Sequence, residues 1–338
     1  MLKILIKFSL LLTVLCADVI IKPATSPLQH SEGPYWDAKR QLLFFVDYYE
    51  ATILQLNPKS NLVTKVQIPN HNSSTIVIPV KDSNHEFIVT ADNFIYKVKW
   101  NGQKNDTAII KQLFGIQKNE SHIQYTDGKA DSDGRLWIAT YKRTVDNLWE
   151  KYKGIFYRMQ GKLLKEREII KTGLTLGNGL TWSKDRRRFY YIDSYNYNIQ
   201  VYDFDLENGE ISNPKVLFNL KDYPSLVNTS MNDGLDGMTI DLNDNLWAAV
   251  YGGGKIIHVN GTTGNLIRVV HLPVSHPTSV TFGGQNFDIL YVTSSRFNFN
   301  ATQLEMEPLA GSVLELINLG VKGLPANEVD LKENPNYK

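Results

Sequence analysis

With 338 residues, 42% of them hydrophobic and 11% aromatic, the chain is long enough to bury a large core, and 36 basic against 35 acidic residues leave a formal net charge of +1. That balance excludes a broad electrostatic footprint for nucleic acid or an anionic membrane surface. A single cysteine, Cys16, excludes a disulfide framework.

Met1-Leu2-Lys3-Ile4-Leu5-Ile6-Lys7 carries two positive charges and leads into an apolar run from Phe8 to Leu15, followed by the small pair Cys16-Ala17. The pattern predicts a secretory signal peptide over 1–17, since the run falls short of the ~20 residues that a membrane span requires. Six Asn-x-Ser/Thr sequons stand at Asn72, Asn105, Asn119, Asn228, Asn260 and Asn300, in polar segments read as loops. Together with the leader they predict a secreted, extracellular glycoprotein. No later stretch is apolar for long enough to cross a membrane, and a monomer is expected.

Val19-Ile20-Ile21 reads as a strand that closes a ring, because it precedes the first full repeat and needs a partner for its edge. Four repeats follow in which a polar residue and a glycine precede an apolar strand. They are Glu32-Gly33 before Leu42 to Val46, Asp127-Gly128 before Leu136 to Ala139, Asn178-Gly179 before Phe189 to Asp193, and Asp236-Gly237 before Leu246 to Val250. Weaker copies lie at Thr75-Ile76 and Thr278-Ser279. The spacing averages about 49 residues, the size of a four-stranded propeller blade. Six such units predict an all-β, six-bladed β-propeller over 18–326.

Alternating strands and Asn- or Gly-rich turns, such as Thr52 to Leu56 before Asn57-Pro58, repeat this grammar, and no segment sustains a helical period. Asn101 to Asp106, Val145 to Lys153 and Ser225 to Asn232 read as long surface loops at one mouth of the ring. The polar stretch 327–338, with Pro335 near its end, is expected to be disordered.

Residues at one phase of successive blades converge on the propeller axis, so Glu32, Asp127, Asn178 and Asp236 are expected to meet there. Crowded carboxylates with an amide oxygen call for a hard divalent cation such as Ca²⁺ or Mg²⁺, and so predict an axial metal site. The bland alternative is that Asp-Gly and Asn-Gly are turn residues. Four at one phase, each before a buried strand, outweigh it. The chain has no nucleophile elbow, His-Glu-x-x-His pair, phosphate loop or dinucleotide glycine pattern. Asp131-Ser132-Asp133-Gly134 reads as a hairpin turn rather than a calcium loop, since Lys129 stands where its first ligand belongs. Trp137, Trp182 and Trp247 read as core.

At these residues the chain resembles the regucalcin/gluconolactonase family, which includes the insect luciferin-regenerating enzymes, from about Ser31 to Gly323. Ser31 to Trp36, Thr126 to Asp131, Asn178 to Ser183, Tyr190 to Ser194, Asp236 to Asp241, Phe282-Gly283-Gly284 and Gly320 to Gly323 carry the resemblance. It implies a six-bladed propeller with one divalent cation on the axis, Ca²⁺ first and Zn²⁺, Mn²⁺ or Mg²⁺ as alternatives. It also implies metal ligands at Glu32, Asn178 and Asp236, with Asp236 as acid/base and Asp127 beside the metal as an orienting group or pocket wall. The family's lactonases place an arginine two residues before an asparagine ahead of the Asp-Gly pair. This chain has Gln124 and Thr126 there, and Thr144 where the family has a glutamate facing the sugar.

The expected function is therefore a secreted, metal-dependent lactonase or esterase acting on a small-molecule lactone or ester, with Gln124, Thr126, Asp127 and Thr144 lining its pocket. The alternative is a non-catalytic, calcium-binding propeller, a carrier or effector with a degenerate pocket. The intact ligand set favours the first reading and the altered pocket the second.

Overall fold

The computed structural model describes residues 18–104, 106–116, 122–144, 149–227 and 234–332. The expected signal peptide lies outside them. Six four-stranded antiparallel sheets are arranged as a six-bladed propeller. Blade one is Ser31–Asp37, Leu42–Asp47, Thr52–Asn57 and Leu62–Gln67, and blade two is Val77–Pro79, Glu86–Ala91, Phe94–Lys99 and Ile109–Gly115. Blade three is Ile123–Ala130, Leu136–Lys142, Gly154–Gln160 and Glu166–Leu174, and blade four is Gly177–Trp182, Arg188–Asp193, Asn198–Asp205 and Glu210–Asn219. Blade five is Gly234–Ile240, Asn245–Tyr251, Lys255–Asn260 and Leu266–His271. Blade six takes Pro277–Gly283, Ile289–Ser294 and Leu314–Ile317 from the end of the chain and Ile20–Pro23 from its beginning.

That last sheet closes the ring as expected. Ile20 pairs with Ile317 and Pro23 with Leu314, so the N-terminal strand covers an edge that would otherwise be bare. The second strands are buried on both faces, and apolar side chains from neighbouring blades mesh between the sheets. Trp137 and Trp247 are fully buried in this packing, and Trp182 nearly so.

Strand alternation fixes which loops share a mouth. The start of each first strand and the loop after each second strand open on one face, while the loops after first and third strands open on the other. Val145 to Lys153 and Ser225 to Asn232 flank the first mouth, although 145–148 and 228–233 lie outside the described residues. Asn101 to Asp106 follows a third strand and sits at the opposite end, so the three loops do not share a mouth as expected.

The segment expected to be disordered from residue 327 is ordered through Lys332. Gly323 bridges to Asp241 in blade five and Val329 bridges to Val80 in blade two. Asn327 Nδ2 donates to the Ala130 carbonyl at 3.2 Å, and the Asp330 amide to the Gly134 carbonyl at 2.9 Å. Val329 is completely buried. One apolar side chain and a row of backbone bonds hold a stretch whose polar composition suggested nothing to pack. Residues 333–338 lie outside the described set.

At the far face, aspartates tie the hairpins. Asp131 accepts from the amides of Asp133 and Arg135 at 3.0 Å, from Arg135 Nε at 2.7 Å and from the Trp137 indole at 2.8 Å. It is a turn residue, as its sequence suggested. Asp241 repeats the device, accepting from the Asn243 amide at 2.9 Å, the Asn245 amide at 3.0 Å and the Trp247 indole at 3.1 Å, and pairing with His258 Nε2 at 3.1 Å. Burial alone would raise the pKa of Asp241, but the bonds from His258, the Asn245 amide, Trp247 and the Asn243 amide outweigh it and hold it below the usual carboxylate range. A depressed folded-state pKa contributes stability that is complete above the unfolded value, about 3.9, and is lost as pH falls through the folded one. Asp241→Ala leaves buried donors unpaired, at a cost of about 1–3 kcal/mol near neutrality. Melting curves from pH 7 down to pH 2 should show that penalty shrinking below about pH 4; a penalty constant across the range would mean that the carboxylate's charge is not what holds the turn.

Candidate active site

Five of the six first strands carry a β-bulge at the repeated position. Register shifts fall between Glu32 and Tyr35, Tyr125 and Gly128, Asn178 and Leu180, Leu235 and Met238, and Pro277 and Val280. A bulge re-aims a side chain out of the pleat, and here it does so at one height in successive blades.

The glycines have a separate duty. A Cβ on Gly33 would stand 2.4 Å from the Thr75 carbonyl of the next blade, one on Gly179 would stand 2.6 Å from the Asp236 carbonyl, and one on Gly237 would stand 2.0 Å from Ser279 Oγ. Neighbouring inner strands therefore approach so closely that only glycine fits between them. The polar-Gly pairs of blades one, four and five are contacts of ring closure. In blade three the contact is within the sheet, with the Trp137 carbonyl 2.8 Å from the same construction on Gly128.

The charges of Asp236 and Asp127 reach Glu32, and that of Asp127 reaches Asp236. Asp127 and Asp236 are buried, while Glu32 and Asn178 are partly exposed. Burial pushes the Glu32 carboxyl well above its usual range and Asp236 and Asp127 push it further, against bonds from the Gly33 amide and Thr278. Asp236 is raised by burial and by Asp127, against bonds from Asn178 and the Gly237 amide. Asp127 is raised by burial, with Lys129 and the Gly128 amide opposing. Asp127 Oδ1 accepts from the Gly128 amide at 2.7 Å, while its buried Oδ2 has no hydrogen-bond partner. Among the described residues no group of three or more His, Cys, Asp or Glu side chains forms a metal cluster. The expected ligands Glu32, Asn178 and Asp236 offer two carboxylates and one amide.

Several supporting residues were not visible in the sequence. Asp47 accepts from the Gln29 and His30 amides at 3.3 and 3.1 Å and so holds the loop that leads into Glu32. Asp193 accepts from the Thr175 and Leu176 amides, both at 3.1 Å, ahead of Asn178. Asn178 Nδ2 donates to Ser194 Oγ at 3.1 Å, which leaves its oxygen as the side chain's remaining acceptor. Lys129, two residues beyond Asp127, donates to the Met238 carbonyl; burial lowers its pKa while Asp127 and Glu32 raise it. The recurrence of aspartate at the ends of second strands was the available signal for the clamps. Past Asp127 the axis opens into a cavity of about 190 Å³, lined in part by Lys129, Thr181, Thr239 and the segment from Leu324 to Asn327.

The pocket positions are also built in. Gln124 Oε1 accepts from the Tyr141 hydroxyl, and Thr126 Oγ1 donates to the Gly177 carbonyl. Thr144 is half-buried at the mouth, just before residues that lie outside the described set. Of the sequons, Asn72 and Asn300 are exposed and Asn260 is half-buried. Asn300 caps the short helix Ala301–Met306, and Asn260 accepts from the amides of Thr262 and Thr263. Asn105, Asn119 and Asn228 lie outside the described residues.

The family described as SMP-30/Gluconolactonase/LRE-like region matches residues 30–296. The chain belongs to this family. Regucalcin from Gallus gallus is similar to it, 30% identical over 297 residues that cover 87% of this chain and 92% of that protein. A solved luciferin-regenerating enzyme superposes with a TM-score of 0.83 at 29% identity, covering 93% of this chain and all of the other. A calcium-binding protein, regucalcin, from Agrobacterium tumefaciens has the same fold, with a TM-score of 0.76 at 20% identity over 90% of this chain and 94% of its own. Membership of the SMP-30/gluconolactonase/LRE-like family supports a lactonase-type function on small-molecule substrates.

The interblade contact gives a direct test. Gly237→Ala forces a methyl group onto Ser279 and is expected to cost about 1–3 kcal/mol, the usual penalty of overpacking. Adding Ser279→Gly removes Oγ at 2.0 Å and Cβ at 2.4 Å but keeps Cα at 2.6 Å, so it should recover part of the loss in a double-mutant melting cycle. Additive losses would show that the two blades do not meet at this glycine.

Proposed function

We propose that the protein is a divalent-cation-dependent lactonase or esterase, with Glu32, Asn178 and Asp236 holding the cation and Asp236 moving the proton. The observation that carries this reading is the set of like charges gathered on the axis. Burial holds the Glu32, Asp127 and Asp236 carboxyls toward their neutral forms and Lys129 likewise, and a divalent cation would balance the two negative charges in surplus once all four are charged. The donor set of Glu32, Asn178 and Asp236 fits as well, being all oxygen, and beside it one buried carboxylate oxygen of Asp127 has no hydrogen-bond partner. Ca²⁺ is the first choice on that chemistry, with Mg²⁺, Mn²⁺ and Zn²⁺ the alternatives.

When bound, such a cation supplies polarisation of an ester carbonyl and a lowered pKa for water. The chain's own residues do the rest. An Asp236 carboxylate oxygen takes a proton from the attacking water as the water oxygen bonds to the carbonyl carbon. The ester C–O bond then breaks with its electron pair on the leaving oxygen, and Asp236 returns the proton there. Asn178 orients Asp236 by hydrogen bonding, and the Gly237 amide helps to hold the carboxylate in place. Lys129 limits the repulsion that Asp127 and Glu32 would otherwise impose on the site.

A second reading, a cation-binding carrier or effector without turnover, is favoured by one observation. Gln124 and Thr126 spend their hydrogen bonds inside the protein. The leader and sequons support secretion and glycosylation, which glycosidase-dependent mass of the secreted product tests.

Hydrolysis of some lactone or ester is expected to require added cation and to fall at least about a hundredfold in Asp236→Asn, the scale of losing a general base. A cation bound only to the folded chain adds about 2.7 kcal/mol at a hundredfold excess over Kd. Melting with Ca²⁺ against chelator should therefore differ in the parent and converge in Glu32→Gln, Asn178→Ala and Asp236→Asn. Variants that keep the parent's calcium response would place the cation elsewhere. Cation binding without turnover on lactones, aryl esters and organophosphates would favour the carrier.

A further inference from the structure

The mouth above the acids is walled by aromatic rings. In blades one, three, four, five and six, the end of the second strand or the loop after it carries at least one, among them Tyr48, Tyr49, Tyr141, Trp149 and Tyr251. Strand direction puts all of them on the face where Glu32, Asn178 and Asp236 begin their strands. Tyr48 and Tyr49 stand edge to face at 4.6 Å, and Tyr49 stacks on Phe297 at 3.7 Å. Tyr141 meets Trp149 edge to face at 4.7 Å. Tyr251 feels the charges of both Asp236 and Glu32, which places an aromatic wall beside the proposed proton carrier. In blade two the second and third strands are joined by a tight turn at Asp92 and Asn93, without an aromatic residue.

Arg143 ties two sides of this collar together. Its guanidinium lies 4.5 Å from the Trp149 ring and 5.4 Å from the Tyr141 ring in blade three, and it bonds to the hydroxyls of Tyr48 and Tyr49 in blade one. Tyr48 and Tyr141 share a 2.6 Å hydrogen bond, and Tyr141 donates onward to Gln124. A polyhydroxylated substrate needs polar groups that are ready to receive it. Here the Gln124 Oε1 acceptor and the Thr126 hydroxyl proton are already engaged within the protein, which leaves fewer of their groups ready for a sugar hydroxyl. A flat ring breaks no bond and gains stacking.

We propose that this collar selects a lactone or ester whose ring or leaving group is flat and aromatic, with Tyr49 and Trp149 as stacking surfaces and Arg143 as the residue that positions them. The proposal rests on the lactonase reading for its chemistry but on the collar alone for its selectivity. Steady-state kinetics of the full chain with Ca²⁺ compare dihydrocoumarin, an aromatic lactone, with gluconolactone. Calorimetry with 3,4-dihydroquinolin-2-one, the lactam of the same shape, reads binding without turnover. The parent is expected to favour dihydrocoumarin by about a hundredfold in kcat/KM. Tyr49→Ala, Trp149→Ala and Arg143→Met should each cut that preference by roughly two- to tenfold, chiefly through KM, as expected for loss of a ring contact. Tyr49→Phe and Trp149→Phe should restore it.

Equal or better turnover of gluconolactone overturns the proposal, as do collar variants that lower both substrates alike. If neither lactone is hydrolysed, lactam binding that weakens in the same variants upholds the collar while the lactonase reading fails. No lactam binding in that case overturns the collar as well.

Discussion

Closing six twisted sheets around one axis forces the inner strands of neighbouring blades into contact, and the site depends on that contact. At Gly33, Gly179 and Gly237 the next blade leaves no room for a Cβ. The residue before each glycine sits on a bulge that turns it out of the pleat. Tight closure and the gathering of Glu32, Asn178 and Asp236 are thus one geometric event. Its electrostatic consequence is that burial raises the Glu32 and Asp236 pKa values and neighbouring carboxylates raise them further, Asp236 and Asp127 acting on Glu32 and Asp127 on Asp236. Lys129 and Thr278 ease that crowding, and a divalent cation is the natural complement.

The same side-chain chemistry does three jobs according to its place along a blade. An aspartate at the start of a first strand faces the axis. An aspartate at the end of a second strand, such as Asp47 or Asp193, clamps the amides of the incoming loop. One just beyond a first strand, such as Asp131 or Asp241, ties a hairpin and holds an indole in the core. Burial raises Asp236 well above the usual carboxylate range and raises Asp127, whereas in Asp241 bonds from N–H donors outweigh burial and hold it below that range. Functional and structural aspartates are separated here by hydrogen-bond supply, since both kinds are buried.

Those distinctions mark how far the sequence could be read. The repeat phase, the strands, the closing N-terminal strand and the tryptophan core were legible, because a period of two within strands and a period of one blade along the chain leave strong patterns. The glycines were legible as pairs with the acids, but their role in blade contact was not, since it depends on the neighbouring backbone. The ordered segment through Lys332 was hidden by polar composition, its single anchor being Val329. Lys129 was misjudged as a mere departure from a calcium loop, whereas folding sends it to the axis. The loops assigned to one mouth could have been separated by counting strands, since direction reverses with each one.

The aromatic mouth was the least legible part because five of the six blades contribute to it, some 50 positions apart, with no shared motif. It is also built differently from the axis. The acids stand on first strands, whose positions are locked by interblade contact. The collar stands at the ends of second strands and in the loops that follow, where sequence can change without reopening the ring. That division explains how an intact set of axial ligands coexists with altered residues at Gln124, Thr126 and Thr144. Gln124 and Thr126 have been drawn into internal bonds, with Tyr141 and with the Gly177 carbonyl, so they now help to hold the wall. A buried polar group that has found a partner in the protein costs little to keep and much to reassign. Under the proposed reading, selection at such a mouth passes from hydrogen bonding to ring contact, while the axis keeps the arrangement that ring closure imposes on it.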